Sequence, residues 1–128
     1  MADALFDTTV FIDYYRGDDG ARELVEAVVE GSLSASFSSL ASFEIWLGIA
    51  SREEEIDFLA MLSYCEEAPL TASMARTAAL WLKNVRPRRA EALFRDALIA
   101  ATANERGETV YTRNVRDFRR FTQDVQRY

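Results

Sequence analysis

Apolar and polar positions in this chain fall into short blocks that switch between strand and helix periods. Ala4–Phe6 is an unbroken apolar triplet, short enough for a buried strand, and TTVFIDYYRG continues it as a helix closed at Gly17. Residues 19–30 set Ala21, Leu24, Val25 and Val28 at helical spacing and stop at Gly31. LSASFSS alternates Leu33, Ala35 and Phe37 with serines, which is the strand period. SLASFEIWLGIA predicts a helix capped by Ser39, with Leu40, Phe43, Leu47 and Ala50 as its apolar stripe. Residues 52–66 and 71–85 predict two more helices around a short extended EEAPL. Pro87 separates these from a helix over about 89–105 that ends at Gly107. TVYT predicts a strand, NVRDFRRF a short helix, and DVQRY a last edge strand or tail.

Strands alternating with helices imply a mainly parallel sheet covered on both faces. In such a sheet the functional cleft lies beyond the carboxyl ends of the strands. There is no internal repeat, low-complexity run or linker, so residues 1–128 read as a single α/β domain.

Composition narrows the chemistry. The chain is 49% hydrophobic and 28% charged, as an ordinary globular domain is, and no apolar run approaches the roughly 18 residues of a membrane span. MADALFD carries an acid and no basic run, so no signal peptide is expected. The single cysteine, Cys65, excludes an internal disulfide and fits a reducing cytoplasm, the location expected for this chain. Histidine is absent, which removes Ser-His-Asp and Cys-His catalysis and nearly every zinc site. Neither G-x-x-x-x-G-K-[ST] nor G-x-G-x-x-G occurs. Carboxylates with a hard metal are the main chemistry left. Charge is also uneven: residues 1–64 carry 13 acids against 3 arginines, a net of −10. Residues 65–128 carry 8 acids against 12 lysines and arginines, a net of +4, enough for a local basic patch.

Four acids interrupt the hydrophobic pattern. Asp7 breaks the opening apolar run at the carboxyl end of the first strand, where an unpartnered buried carboxylate costs roughly several kcal/mol. It could also cap the helix that follows. Asp96 stands in the apolar face of its helix, flanked by Ala92, Leu93, Ile99, Ala100 and Ala103, and the alanines leave room beside the carboxylate. The plain alternative is a buried Asp paired with an arginine. Glu44 borders the apolar stripe of its helix, where an ion pair would also be ordinary. Asp117 follows the strand TVYT; with Asn114 as N-cap it could equally be the N3 acid of a capping arrangement. Four carboxylates converging in one cleft repel one another unless a cation shares them, and oxygen-only ligands select Mg²⁺ or Mn²⁺.

The ordered set LFDTTVFIDYYRG, the glutamate of SLASFEIWLGIA, FRDALIAATANERG and VYTRNVRDF resembles the successive motifs of PIN domains, above all of the VapC-like ribonuclease toxins. The resemblance covers nearly the whole chain. It implies a flavodoxin-like α/β/α sandwich and a Mg²⁺- or Mn²⁺-dependent endoribonuclease whose catalytic and metal-binding acids are Asp7, Glu44, Asp96 and Asp117. Thr112 and Asn114 would be polar support. In many members the fourth acid stands two residues after the threonine, where this chain has Asn114; Asp117 matches the T-x-N-x-x-D-F variant. Asp13 stands outside the quartet and reads as structural. The resemblance further implies an RNA substrate, a homodimer and a cognate VapB-like antitoxin. Arg86, Arg88, Arg89, Arg95, Arg113 and Arg116 are candidate phosphate contacts. Phe37, Phe43, Trp46, Phe58 and Trp81 read chiefly as core. Two other functions fit less well. A receiver-type signalling domain would want paired acids and a lysine after the last strand, whereas the one lysine, Lys83, lies mid-helix. A catalytically silent PIN fold that only binds nucleic acid or partners would not need all four acids.

Overall fold

The computed structural model describes residues 3–128, so the first two residues of the expected domain and of MADALFD lie outside it. Five strands and seven helices follow one another as β1 (Ala4–Phe6), α1 (Thr8–Tyr15), α2 (Asp19–Glu30), β2 (Ala35–Ser38), α3 (Ser39–Gly48), α4 (Arg52–Leu62), β3 (Glu66–Ala68), α5 (Ala72–Leu82), α6 (Pro87–Arg106), β4 (Thr109–Tyr111), α7 (Val115–Phe118) and β5 (Val125–Gln126). The strands pair in the order β3-β2-β1-β4-β5, and every pairing is parallel. This is the α/β/α sandwich that the alternation of elements predicts.

Successive side chains of a strand face opposite ways. In β1, Ala4 and Phe6 enter one core with Val10, Phe11, Val25, Val28, Phe37, Phe58 and Met61, under α1, α2 and α4. Leu5 enters the other with Ile99, Ala103, Val110, Val115 and Phe118, under α6 and α7. A third cluster of Met74, Ala78, Ala97 and Ala101 packs α5 on α6. Of the alanines beside Asp96, Ala100 and Ala103 pack in the second core and Ala92 is exposed, while Ala97 and Ala101 serve the close approach of α5.

Local chemistry explains most boundaries, with three departures from the sequence reading. The extended EEAPL, as expected, is no helix and supplies the paired strand β3. Ser38, not Ser39, caps α3, its hydroxyl accepting from the Leu40 N–H at 3.1 Å. Pro87 is the first residue of α6, where its missing N–H is no loss. The face of α3 is also rotated: Ala41 and Ile45 are buried, while Phe43 and Leu47 are 60% and 75% exposed. Of the five aromatics read as core, Phe37 and Phe58 are buried and Trp81 stacks on Phe121, but Phe43 and Trp46 face outward. Gly107 ends α6 with φ +67°, which a side chain would strain.

One ion cluster in the sheet was not legible in the sequence. Glu108, just before β4, is buried beneath Ser36 and accepts from its hydroxyl at 2.9 Å. Arg106 donates to Glu108 at 2.9 Å and to the exposed Glu66 at 2.8 Å. Burial raises the Glu108 carboxyl above its ordinary range against the pull of Arg106 and Ser36. Removing the guanidinium would strand a buried charge. Arg106→Ala should lower unfolding free energy by about 3 kcal/mol, and Glu66→Gln by about 0.5 kcal/mol, in urea titrations. Equal effects of the two would show that Glu108 does not depend on its arginine.

Candidate active site

The site forms where the sheet changes direction. β2 and β3 lie to one side of β1 and β4 and β5 to the other, so the carboxyl ends of β1 and β4 border the switch point. Asp7 follows β1 directly and Thr112 follows β4 directly. The Asp7 N–H donates to the Tyr111 carbonyl at 3.0 Å, joining the two chain segments.

Asp7 is fully buried and caps α1, its Oδ1 accepting from the Thr8 N–H at 2.8 Å. Its Oδ2 accepts from the Thr112 hydroxyl at 2.8 Å and, more weakly, from the Thr9 hydroxyl at 3.4 Å. Asp7 therefore caps its helix and bonds across to the end of β4 with the same carboxylate. Thr112 is itself buried and accepts from the Asn114 N–H at 2.9 Å. Asn114 begins α7 without a side-chain capping bond, so its support comes through the backbone.

Arg95 organises the other acids. Its Nη2 donates to Asp7 Oδ1 at 2.7 Å and to Glu44 Oε1 at 2.8 Å, and its Nε donates to Glu44 Oε2 at 2.7 Å. Its Nη1 donates to Asp96 Oδ1. Glu44 also accepts from the Thr8 hydroxyl at 2.6 Å. Asp7 from the end of β1, Glu44 from α3 and Asp96 from α6 thus converge on one guanidinium, which the sequence reading had placed among the phosphate contacts. Among the described residues no three carboxylates are arranged to hold one metal ion as they stand.

Asp117 stands apart. Its side chain is 40% exposed and pairs loosely with Arg89 at 3.8 Å and Arg120 at 3.9 Å. It lies in a cleft of 440 Å³ lined by Arg89, Arg113, Asn114, Arg116, Arg120 and Arg127. Of the arginines expected to meet phosphate, Arg89, Arg113 and Arg116 line this cleft, while Arg86 and Arg88 are exposed outside it. Arg120 and Arg127 join it unforeseen. Asp13 is structural, as expected: it accepts from the Tyr128 hydroxyl at 2.6 Å and pairs with Arg113 at 3.2 Å.

The acids titrate differently. Burial alone would raise Glu44, but hydrogen bonds from Arg95 and Thr8 with the Arg95 charge bring it below its ordinary value. Asp96 is pushed up to about 6. Burial is the largest cause; the Arg95 charge opposes it, and the charges of Asp7 and Asp117 add to it.

A family model described as the PIN domain matches residues 4–123. The chain belongs to the PIN-domain family. It is 31% identical over 118 residues to Ribonuclease VapC19 of Mycobacterium tuberculosis, spanning 91% of this chain and 93% of that protein. A toxin-antitoxin complex from Klebsiella pneumoniae contains a chain of the same fold, with 24% identity, coverage of 97% and 96%, and a TM-score of 0.77. FitAcB from Neisseria gonorrhoeae superposes with a TM-score of 0.74 at 19% identity, covering 98% of this chain and 96% of that one. Thr8 and Thr9 are members of this cluster that sequence reasoning did not assign, and Arg95 is one it assigned to phosphate rather than to the carboxylates. The D-T-T run and the adjacency of Arg95 to Asp96 were their only signals.

The raised Asp96 value carries a stability signature. The folded chain keeps a proton there that an unfolded Asp, at 3.8, has released. The resulting stabilisation is complete below pH 3.8 and lost as pH rises through about 6. An amide in place of this carboxyl does not titrate and would not lose it. In EDTA, the melting temperature of Asp96→Asn relative to the native chain should therefore rise by about 6 °C between pH 4.5 and 7.5. A difference that stays flat would mean Asp96 is ionised throughout that window.

Proposed function

We propose that this chain is a Mg²⁺- or Mn²⁺-dependent endoribonuclease, the toxin of a toxin–antitoxin pair, neutralised by a VapB-like antitoxin. The observation that carries this is the convergence of Asp7, Glu44 and Asp96 from three elements at the switch point of a PIN sheet, in a chain 31% identical to a ribonuclease.

The donor set suits a hard cation. It is oxygen only, in a chain without histidine, and it already gathers around a positive group, Arg95. Asp7 and Asp96 would hold the ion, with Glu44 and Asp117 completing the set directly or through water. When bound, the ion supplies Lewis-acid charge at the scissile phosphate and a water of lowered pKa. The chain's own groups do the rest. Thr8, Thr9 and Thr112 fix the Asp7 carboxylate, so that it need not reorganise during reaction. The arginine cleft beside Asp117 offsets the repulsion that the acids present to a polyanion. A single-stranded RNA segment, with its bases splayed, suits so open a groove.

Partner surface is also present. Phe43, Trp46 and Leu47 form an exposed apolar face on α3. Tyr15, Val29 and Tyr64 border a groove of 630 Å³ between α1, α2 and α4. A second copy of the chain and an antitoxin segment are the occupants this reading assigns to such surfaces. No helix of the described residues is long and apolar enough to cross a membrane. The half-buried Cys65, its thiol pushed up to about 11 by burial, fits a cytoplasmic location as an unreactive side chain.

The test is cleavage of total tRNA and a generic mRNA by antitoxin-free protein in Mg²⁺, Mn²⁺ or EDTA. Cutting should vanish in EDTA and fall at least about 100-fold in Asp7→Asn and Asp96→Asn. Cutting that survives either substitution would make the carboxylates structural, and RNA binding without cutting would favour the silent module. The cleft makes a separate claim. In EDTA, Arg116→Ala and Arg127→Ala should each weaken RNA binding uniformly across sequences and lower the salt slope by about one. An unchanged slope would place the RNA elsewhere.

A further inference from the structure

The reading above leaves one feature of the acid cluster without a role, and it is the best-bonded side chain there. Arg95 takes up Asp7 Oδ1, both oxygens of Glu44 and Asp96 Oδ1. The other bonds to these carboxylates fall mainly on Asp7. Asp7 Oδ1 also accepts from the Thr8 N–H, Asp7 Oδ2 accepts from Thr112 and Thr9, and Glu44 Oε1 accepts from Thr8. A carboxylate offers about four lone-pair sites. Those of Asp7 are therefore all engaged, and the Asp7 position shared with Glu44 and Asp96 is the one Arg95 occupies. Thr8 and Thr112 are held by the backbone of α1 and by the turn after β4; Arg95 is held only by its own flexible stem.

We propose that Arg95 is a displaceable resident cation: its guanidinium occupies the three-carboxylate site, must swing out before a divalent ion can enter, and so sets the metal affinity of the chain. This rests on the metal-dependent reading and adds a competitor to it. The stoichiometry favours exchange. Three carboxylates face one guanidinium, so negative charge remains in excess, and a divalent ion balances it better than a single positive charge. The geometry permits exchange. The Arg95 side chain is 23% exposed, so it leaves into solvent by rotating its own torsions while α6 stays in place. The other arginines near the site cannot substitute for it: Arg89 and Arg120 reach only the exposed Asp117, at 3.8 and 3.9 Å. In the resident state the guanidinium also offsets the mutual repulsion of Asp7, Glu44 and Asp96, keeping the carboxylates gathered for the ion that replaces it.

The apparent affinity of a ligand falls by the fraction of molecules in the competent state. With Arg95 seated in nine molecules of ten or more, its removal should tighten binding about tenfold or more. The experiment is a Mn²⁺ titration of the full-length chain followed by water-proton relaxation. Arg95→Ala should bind about tenfold more tightly than the native chain. Arg88→Ala removes the same charge at an exposed position outside the cluster and the arginine cleft, and should change binding by less than about threefold. Equal effects of the two substitutions, or none in Arg95→Ala, would overturn the proposal and leave metal dependence standing. No saturable binding by the native chain or by Arg95→Ala would remove the metal-dependent reading and the proposal together. A second measurement needs no destabilising variant. The Nε–Hε resonance of Arg95, identified by its loss in Arg95→Lys, should be protected in EDTA and move toward free arginine on saturation with Mg²⁺. A resonance that saturating Mg²⁺ leaves in place would show that the ion binds without displacing the guanidinium.

Discussion

A carboxylate shut away from water has to be satisfied by the protein, and Asp7 sits fully buried at the end of the central strand. Its donors come from the helix it caps, from Thr112 after β4 and from Arg95 on α6. Those three sources lie on elements far apart in sequence, and each must be placed correctly for the charge to be tolerated. The fold and the site therefore share their bonds. The pairing of β1 with β4 brings Thr112 to Asp7, and packing α6 over the second core brings Arg95 and Asp96 within reach. A chain that misplaced either element would bury a bare charge as well as lose a site.

Much of this architecture is visible in sequence because it follows local periodicity and local punctuation. Gly17, Gly31 and Gly107 follow helix ends, the first strand is an unbroken apolar run, and three of the four acids that break a pattern do converge. The departures share one cause: local pattern does not say which faces are covered. In β2 the serines alternate with apolar residues, yet Ser36 and Ser38 are as buried as Phe37, because a central parallel strand is covered on both sides. In α3 the longest apolar stripe faces solvent. Glu44 must reach Thr8 and Arg95, and that rotation buries Ala41 and Ile45 while turning Phe43 and Leu47 outward. The polar requirement of the site outranks the hydrophobic pattern of the helix.

Arg95 was out of reach for a related reason. Its position next to Asp96 suggests a neighbour pair, but consecutive residues on a helix point about 100° apart and do not ordinarily face each other. Its bonds to Asp7 and Glu44 span 88 and 51 residues, and no periodicity carries that information. The basic cleft was half legible. The positive balance of residues 65–128 foretold a patch, but only the return of β5 to the sheet edge adds Arg127 to residues from α6 and α7.

The two arginine–carboxylate clusters of this sheet show what separates a structural ion group from a reactive one. At Glu108, one buried acid meets one arginine and one serine, and the only further acid, Glu66, is exposed and hydrated. Buried charge is balanced there, and nothing is gained by exchanging the arginine for another cation. At Asp7, three acids share a single arginine. Burial, with the charges of Asp7 and Asp117 added to it, raises Asp96 against the pull of Arg95 and costs folding free energy at neutral pH. The imbalance also gives the site an unmet demand for positive charge. The same residue types, with a different count of acids to arginines, make a brace at one point of the sheet and a cation-exchanging centre at its carboxyl edge.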